Sequence, residues 1–357
     1  MRVKAIVTAV LCGILLTACA KLPELPTLPG GLEISSENPG DASTEATTGK
    51  SNDEPAVSSK EFSFNPHVCS KKLYEAYGPE EWETFFKLVD ALRKGEDTFE
   101  CPSREIYEWC FSGGPLDELF PVGRYNLEMD FENGYTEGVG HIRYLIPKDE
   151  FMKKQKAFEK MVMKIVNDNV DKDYTDFEKC IALYEYMINN YVYDYDEAKA
   201  NESGDFYTTW DCGTYRTFLD KKGVCNELSN VYNYLLLQCG VEAAKYEGWV
   251  NTEPIGHAWS YVTLDGVGYF IDPTWGLPDQ TDSDLQYFMM TSDERDPDFD
   301  VMEPEIYYYD FQKKDVDFTA KDNRFAALHR GEFISFDKKK KILYYKVMGE
   351  KKKFYYG

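Results

Sequence analysis

The 357-residue chain is short of positive charge, of histidine and of long apolar runs, and each shortage excludes something. Forty Lys and Arg stand against 63 Asp and Glu, a formal net charge of −23 at pH 7. A surface of that sign gains no counterion release from a polyphosphate, so no nucleic-acid partner is expected. The lysine runs at 338–341 and 351–353 read as a solvated turn and a blunted sheet edge, not as a polyanion patch. No Cys-x-x-Cys occurs, which argues against structural zinc. Two acidic groups, Asp194, Asp196 and Glu197, and Asp279, Asp282 and Asp284, lack the EF-hand spacing and its Gly, so they read as solvated loops. There is no internal repeat of fixed period. Beyond the first 19 residues no apolar run approaches the 18 or so that span a bilayer. What is plentiful is core-forming material: 43% apolar residues, with 27 Tyr and 22 Phe.

The N-terminal residues speak to compartment. Arg2 and Lys4 precede a nearly all-apolar run at 5–18, too short to cross a membrane and the right length for a signal peptide. It ends Leu16-Thr17-Ala18-Cys19, which resembles the bacterial lipobox, where cleavage falls before a Cys that is then lipidated. That resemblance implies an extracytoplasmic protein held to the cell membrane by lipid on Cys19. Residues 20–60 hold 5 Pro, 4 Gly, 10 Ser or Thr and no aromatic. Such a stretch cannot bury enough apolar surface to offset its ordering entropy. As a flexible coil it reaches roughly 35 Å.

Aromatic residues begin at Phe62. Trp82, Phe85, Phe86, Val89 and Leu92 recur at spacings of 3 and 4 and predict a helix over Pro79–Lys94. Residues 101–147, broken by Gly113-Gly114-Pro115, Pro121 and Gly123, read as strands or loops. Two further helices are predicted over 148–170 and Asp176–Asn190. Near the C-terminus, Phe333-Ile334-Ser335-Phe336 and Ile342-Leu343-Tyr344-Tyr345 flank a turn and predict a hairpin.

The chemistry concentrates in 223–276. Gly223-Val224-Cys225 precedes a helical pattern, Leu228, Val231, Tyr232, Leu235 and Leu236, with Gly240 expected at its C-cap. Cys225 thus opens a largely buried helix, where the positive end of the dipole favours thiolate, the nucleophilic form. His257, one of only four His, begins a strand-like run that reaches Leu264. Asp265-Gly266 is a strong hairpin signal, and the return strand ends at Asp272. With a two-residue loop, Leu264 faces Val267 and Trp259 faces Asp272. Alternation then puts His257 and Asp272 on one face, within reach of a His–Asp hydrogen bond. Such a carboxylate fixes the imidazole's tautomer and leaves the other nitrogen for Cys225. Glu227 follows two residues after Cys225, and an ionised carboxylate facing the site would oppose a thiolate. Of the other cysteines past residue 19, Cys180 and Cys239 read as buried thiols on helix faces. Those at 69, 101, 110 and 212 add to six residues with up to 15 possible pairings.

Gly223-Val224-Cys225, His257-Ala258-Trp259 and Asp272-Pro273-Thr274-Trp275, at spacings of 32 and 15, resemble the three motifs of the transglutaminase-like, papain-related superfamily. So do the preceding Tyr191-Val192-Tyr193-Asp194-Tyr195 and the following Tyr287-Phe288-Met289 with Ser292-Asp293. The resemblance implies an α+β fold, with a Cys-bearing helix packed on an antiparallel sheet. It implies acyl transfer from protein or peptide amides, cell-wall peptide among the options, through a thioester on Cys225, with His257 as base and Asp272 orienting it. No cofactor or metal is called for. The oxyanion would be met by the backbone N–H of Cys225, or by Tyr193 or Trp210. The alternative is a non-catalytic surface module that uses the same groove for binding. The expected organisation is a lipoprotein signal peptide (1–18), anchor and disordered linker (19–60), an N-terminal helical or mixed region (61–150), the transglutaminase-like domain (151–310) and a C-terminal β region (311–357).

Overall fold

The computed structural model describes residues 61–203, 213–250, 256–295, 299–300, 305–306 and 314–357. The expected signal peptide (1–18), Cys19, the expected linker, Trp210 and Cys212 lie outside the described residues. Helices α1 (Lys71–Tyr77) and α2 (Pro79–Lys94) open the described fold. Pro79 in the first turn needs no N–H partner, and Gly95, at φ 72°, stops α2 in the left-handed conformation. The expected face is buried through Trp82, Phe85, Val89 and Leu92, while Phe86 is only partly covered.

The strand-or-loop reading of 101–147 needs correcting. Three helices lie there, α3 (Arg104–Phe111), α4 (Gly113–Leu119) and α5 (Pro121–Arg124), with only two- and three-residue strands after them. The Ser103 hydroxyl accepts the Ile106 N–H (3.2 Å) and caps α3. Gly113-Gly114-Pro115, read as a break, is the first turn of α4, where a proline removes no intrahelical bond.

Helices α6 (Lys148–Asn169) and α7 (Asp176–Asn190) follow, α7 starting at a capping box of Thr175 and Glu178. Then come α8 (Tyr195–Ser203), α9 (Thr214–Asp220) and α10 (Cys225–Gln238). Apolar side chains are buried on nearly every side of α10, because the helix is wrapped by α4, α7 and α9 on one side and a sheet on the other.

That sheet is antiparallel. Its strands are β1 (Glu242–Val250), β2 (Gly256–Leu264), β3 (Val267–Ile271) and β4 (Phe299–Asp300), in the order β3-β2-β1-β4. Asp265 and Gly266 both take positive φ (50° and 82°), the two-residue turn whose twist matches the strands it joins. Leu264 pairs with Val267 and Ser260 with Ile271, which leaves Asp272 one residue beyond the ladder. The short helix α11 (Ser292–Arg295) lies against β3.

A meander of β5 (Glu332–Asp337), β6 (Ile342–Val347) and β7 (Glu350–Tyr355) ends the chain. Two of the lysines at its first turn tie it to the body: Lys338 Nζ reaches Asp171 (2.7 Å) and Asp173 (2.9 Å), and Lys341 Nζ reaches Glu178 (3.0 Å). One apolar cluster runs from Val68 through α2, α6, α7, α10 and the sheet to Leu343 and Tyr345, across both expected boundaries near 150 and 310. Among the described residues no helix is long and apolar enough to cross a membrane. Among the described residues no disulfide joins Cys69, Cys101, Cys110, Cys180, Cys225 and Cys239, and Cys180 and Cys239 are buried as expected.

Candidate active site

The backbone before Cys225 is fixed by a parallel pairing of Val192 with Lys222 and Tyr193 with Gly223. Gly223 must be glycine, because a Cβ there would lie 2.7 Å from the Thr217 hydroxyl and 2.8 Å from its methyl. Val224 is extended and α10 starts at Cys225, which is 4% exposed. Its N–H belongs to the first turn, whose amides have no acceptor within the helix. Ser229, one turn along the same face, donates to the Ala258 carbonyl at 3.0 Å. That face of α10 therefore runs along β2 at the His257 end.

His257 sits opposite Gly248 on β1, where a Cβ would come within 2.6 Å of the Trp259 indole. The imidazole stacks on Trp259 (centroids 5.7 Å, 26°) and on Trp275 (5.1 Å, 27°). His257 Nε2 and Asp272 Oδ2 are 2.7 Å apart, so Nδ1 is the ring nitrogen turned away from the carboxylate. Asp272 Oδ1 accepts the backbone N–H groups of Thr274 and Trp275, each at 3.0 Å. The Asp-Pro-Thr-Trp motif is thus an Asx turn that aims the other carboxylate oxygen at His257.

A residue that sequence reasoning missed completes this end. Arg295 Nη2 donates to Asp272 Oδ2 at 2.6 Å, and the side chain is buried. Its guanidinium lies over Trp259 (4.4 Å) and Trp275 (4.6 Å). The available signal was the Thr291-x-x-Glu294 pair, a capping box whose turn delivers Arg295. Burial would push the Asp272 carboxyl up, but His257, Arg295 and the Trp275 N–H overcome it and hold it below its ordinary value. Burial pushes the His257 imidazole below 6.5; Asp272 opposes that fall and Arg295 adds to it.

Glu227 is buried and accepts from the Asn226 amide at 3.1 Å. Burial, with Glu197 and Asp117 nearby, pushes its carboxyl up to about 8. Burial therefore favours its neutral form and weakens the charge it would place against Cys225. The N-terminal region contributes here as well. Asp117 accepts from the Thr214 N–H (3.0 Å) and the Asn230 amide (3.2 Å). Glu118 pairs with Lys245 (2.9 Å), which donates to Asn226 Oδ1 (2.8 Å), the side chain next to Cys225.

Of the two oxyanion candidates, Tyr193 is buried opposite Gly223, two residues ahead of Cys225, and Trp210 lies outside the described residues. The acidic groups weighed for calcium are engaged otherwise. Asp194 is paired with Arg216 (2.6 Å) and Lys222 (2.9 Å), Asp279 accepts from Tyr195 (2.7 Å), and Asp284 accepts from the Phe333 N–H (2.8 Å). Among the described residues no His, Cys, Asp and Glu cluster is arranged to hold a metal ion.

The model of the Transglutaminase-like superfamily matches residues 164–272, a span that contains Cys225, His257 and Asp272. This segment is a transglutaminase-like domain. The domain is similar to three solved structures. A TGase is 21% identical over 36% of this chain and 34% of its own, with a TM-score of 0.28. A candidate cysteine protease from Cytophaga hutchinsonii is 17% identical over 33% and 37%, at 0.26. A candidate protease from Parabacteroides distasonis is 12% identical over 43% and 35%, at 0.25. The transglutaminase-like match thus spans little more than a third of each of those chains. No curated protein matches this chain.

Proposed function

We propose that the protein is a membrane-anchored, extracytoplasmic cysteine enzyme that acts on protein or peptide amides through a thioester. The observation that carries this reading is the buried His257–Asp272 hydrogen bond on the strand along which the Cys225 face of α10 is packed. Asp272 holds His257 with Nε2–H toward the carboxylate, so Nδ1 can take the thiol proton. The Cys225 sulfur then adds to the amide carbonyl, and the carbonyl electron pair moves onto oxygen. The Cys225 N–H and Tyr193 are the proposed donors to that oxygen. Collapse breaks the C–N bond, His257 protonates the leaving amine, and a thioester remains. Water releases an acid, giving proteolysis or deamidation; an amine gives transamidation. Lipid on Cys19 would hold this chemistry at the outer face of the membrane.

The test is incubation of wild type, Cys225→Ala and His257→Ala with casein and a fluorescent primary amine, reading amine incorporation, ammonia release and peptide cleavage. Wild type is expected to give at least one product and both variants none. Products unchanged by either substitution, or no product together with slow alkylation of Cys225, would overturn the proposal in favour of a binding module.

A further inference from the structure

We propose that Lys221 is a second reactive centre, a covalent capture site at which its amine takes up a small aldehyde as an imine. The proposal does not depend on the chemistry proposed for Cys225. It starts from the backbone. Lys221 follows α9 at φ 58°, in the left-handed region where glycine is favoured. A side chain retained in such a conformation calls for a role.

Among the described residues the partners of that side chain are phenols, not carboxylates. Nζ lies 2.9 Å from Tyr186 Oη and 2.8 Å from Tyr191 Oη, and the two hydroxyls also bond one another. The ring centroids of Tyr186 and Tyr191 are 5.4 Å and 4.6 Å away, so Nζ sits beyond the hydroxyls and not on the ring faces. Nearby charges are engaged elsewhere. Asp168 of α6 pairs with Lys164 (2.5 Å), and Asp220 of α9 pairs with Arg216 (3.2 Å). Glu185, beside Tyr186 on α7, accepts from the Asn189 amide (3.3 Å). The next residue, Lys222, provides the contrast, because Asp194 (2.9 Å) and Asp196 (3.5 Å) hold its Nζ.

The hydrogen bonds favour the neutral amine. An ammonium only donates, whereas a phenol hydroxyl both donates and accepts. Three groups in a ring are all satisfied when each donates one bond and accepts one. An amine can do so and an ammonium cannot. Burial acts in the same direction and brings the Lys221 amine down to about 8, while it pushes both phenols up and keeps them neutral. At pH 7.5 about one quarter of the amine is then neutral, against about one thousandth of an ordinary lysine. Lys221 is only partly exposed and Tyr191 is buried, so the electrophile must be small.

The step balances within these three residues. The Nζ lone pair adds to the aldehyde carbon and the carbonyl electron pair moves onto oxygen. A phenol hydroxyl passes that oxygen a proton, which an N–H of the adduct restores. The C–O bond of the carbinolamine then breaks as the C=N bond forms. The oxygen leaves as water, carrying both amine hydrogens.

The test treats the full chain with acetaldehyde and cyanoborohydride between pH 6 and 9 and maps ethylated lysines by mass spectrometry. Lys221 should be modified about tenfold faster than Lys222, or more, at pH 7.5, with a midpoint near pH 8. In concentrated urea the two should react alike. Tyr191→Phe should slow modification of Lys221 about tenfold and leave Lys222 unchanged. A folded protein in which Lys221 reacts no faster than Lys222, or a preference for Lys221 that persists in urea, would overturn the proposal. So would an undiminished Lys221 rate in Tyr191→Phe protein whose circular dichroism matches wild type. The comparison of two neighbouring lysines in wild type needs no variant to fold.

Discussion

Replacing Glu227 by Gln should stabilise the protein at neutral and alkaline pH, by an amount that grows with pH. The carboxyl rises from an ordinary 4.5 to about 8, chiefly because it is buried, with Glu197 and Asp117 adding to the rise. A group raised in the folded state binds its proton more tightly there than when unfolded. The stability linked to that proton is full below about 4.5 and is lost as pH rises toward 8. At about 1.4 kcal/mol per tenfold step in acidity, the loss is about 3 kcal/mol at pH 7 and about 5 kcal/mol above pH 8. Gln keeps the shape and carries no charge at any pH. Its amide nitrogen can occupy the position of Oε2, which finds no hydrogen-bond partner among the described residues, and face Asp117 and Glu197. Urea unfolding at pH 4.5, 7 and 8.5 tests this. The two proteins should be nearly equal at pH 4.5, and the variant should lead by about 3 kcal/mol at pH 7 and more at 8.5. Parallel stability curves would show that Glu227 is ionised in the fold and the reasoning wrong.

Three further outcomes can be measured. Asp272→Asn removes the anion that holds His257 and leaves the Arg295 charge buried without it, so it should cost about 3–5 kcal/mol in urea unfolding and abolish turnover. Gly223→Ala pushes a methyl into Thr217 and should cost about 1–3 kcal/mol, with Thr217→Ser in the same chain recovering part of it by removing the crowded methyl. Cys19→Ala should shift the protein from the membrane fraction to the medium or leave it unprocessed; unchanged fractionation and processing would refute the anchor.

The sequence carried the elements whose ends are written in local chemistry. Apolar spacing placed α2 and α7 from residues alone, and the structure puts their ends at Pro79 and Gly95 and at the Thr175–Glu178 capping box. The Asp265-Gly266 turn fixed the register that brings His257 to Asp272. Residues 101–147 were misread because Gly and Pro look the same whether they end one helix or begin the next. Arg295 left no periodic signal, being 23 residues beyond Asp272 and joined to it only through tertiary packing. Asp117 and Glu118 were hidden for the same reason, with Asn230 113 residues away. The thiolate objection raised by Glu227 also failed on packing, since burial decides whether that carboxyl is charged.

The reach of α4 toward the nucleophile has a consequence for the order in which the chain becomes competent. Asp117 and Glu118 are made long before Thr214, Asn230 and Lys245, the partners that hold them. Asp117 waits for Thr214 and Asn230, and until residue 245 has been synthesised Glu118 and Asn226 lack their lysine. The turn bearing Cys225 is therefore finished only when the two ends of a stretch more than 100 residues long have met. A chain that stops short of residue 245 holds the sulfur but not the side chains that set its turn.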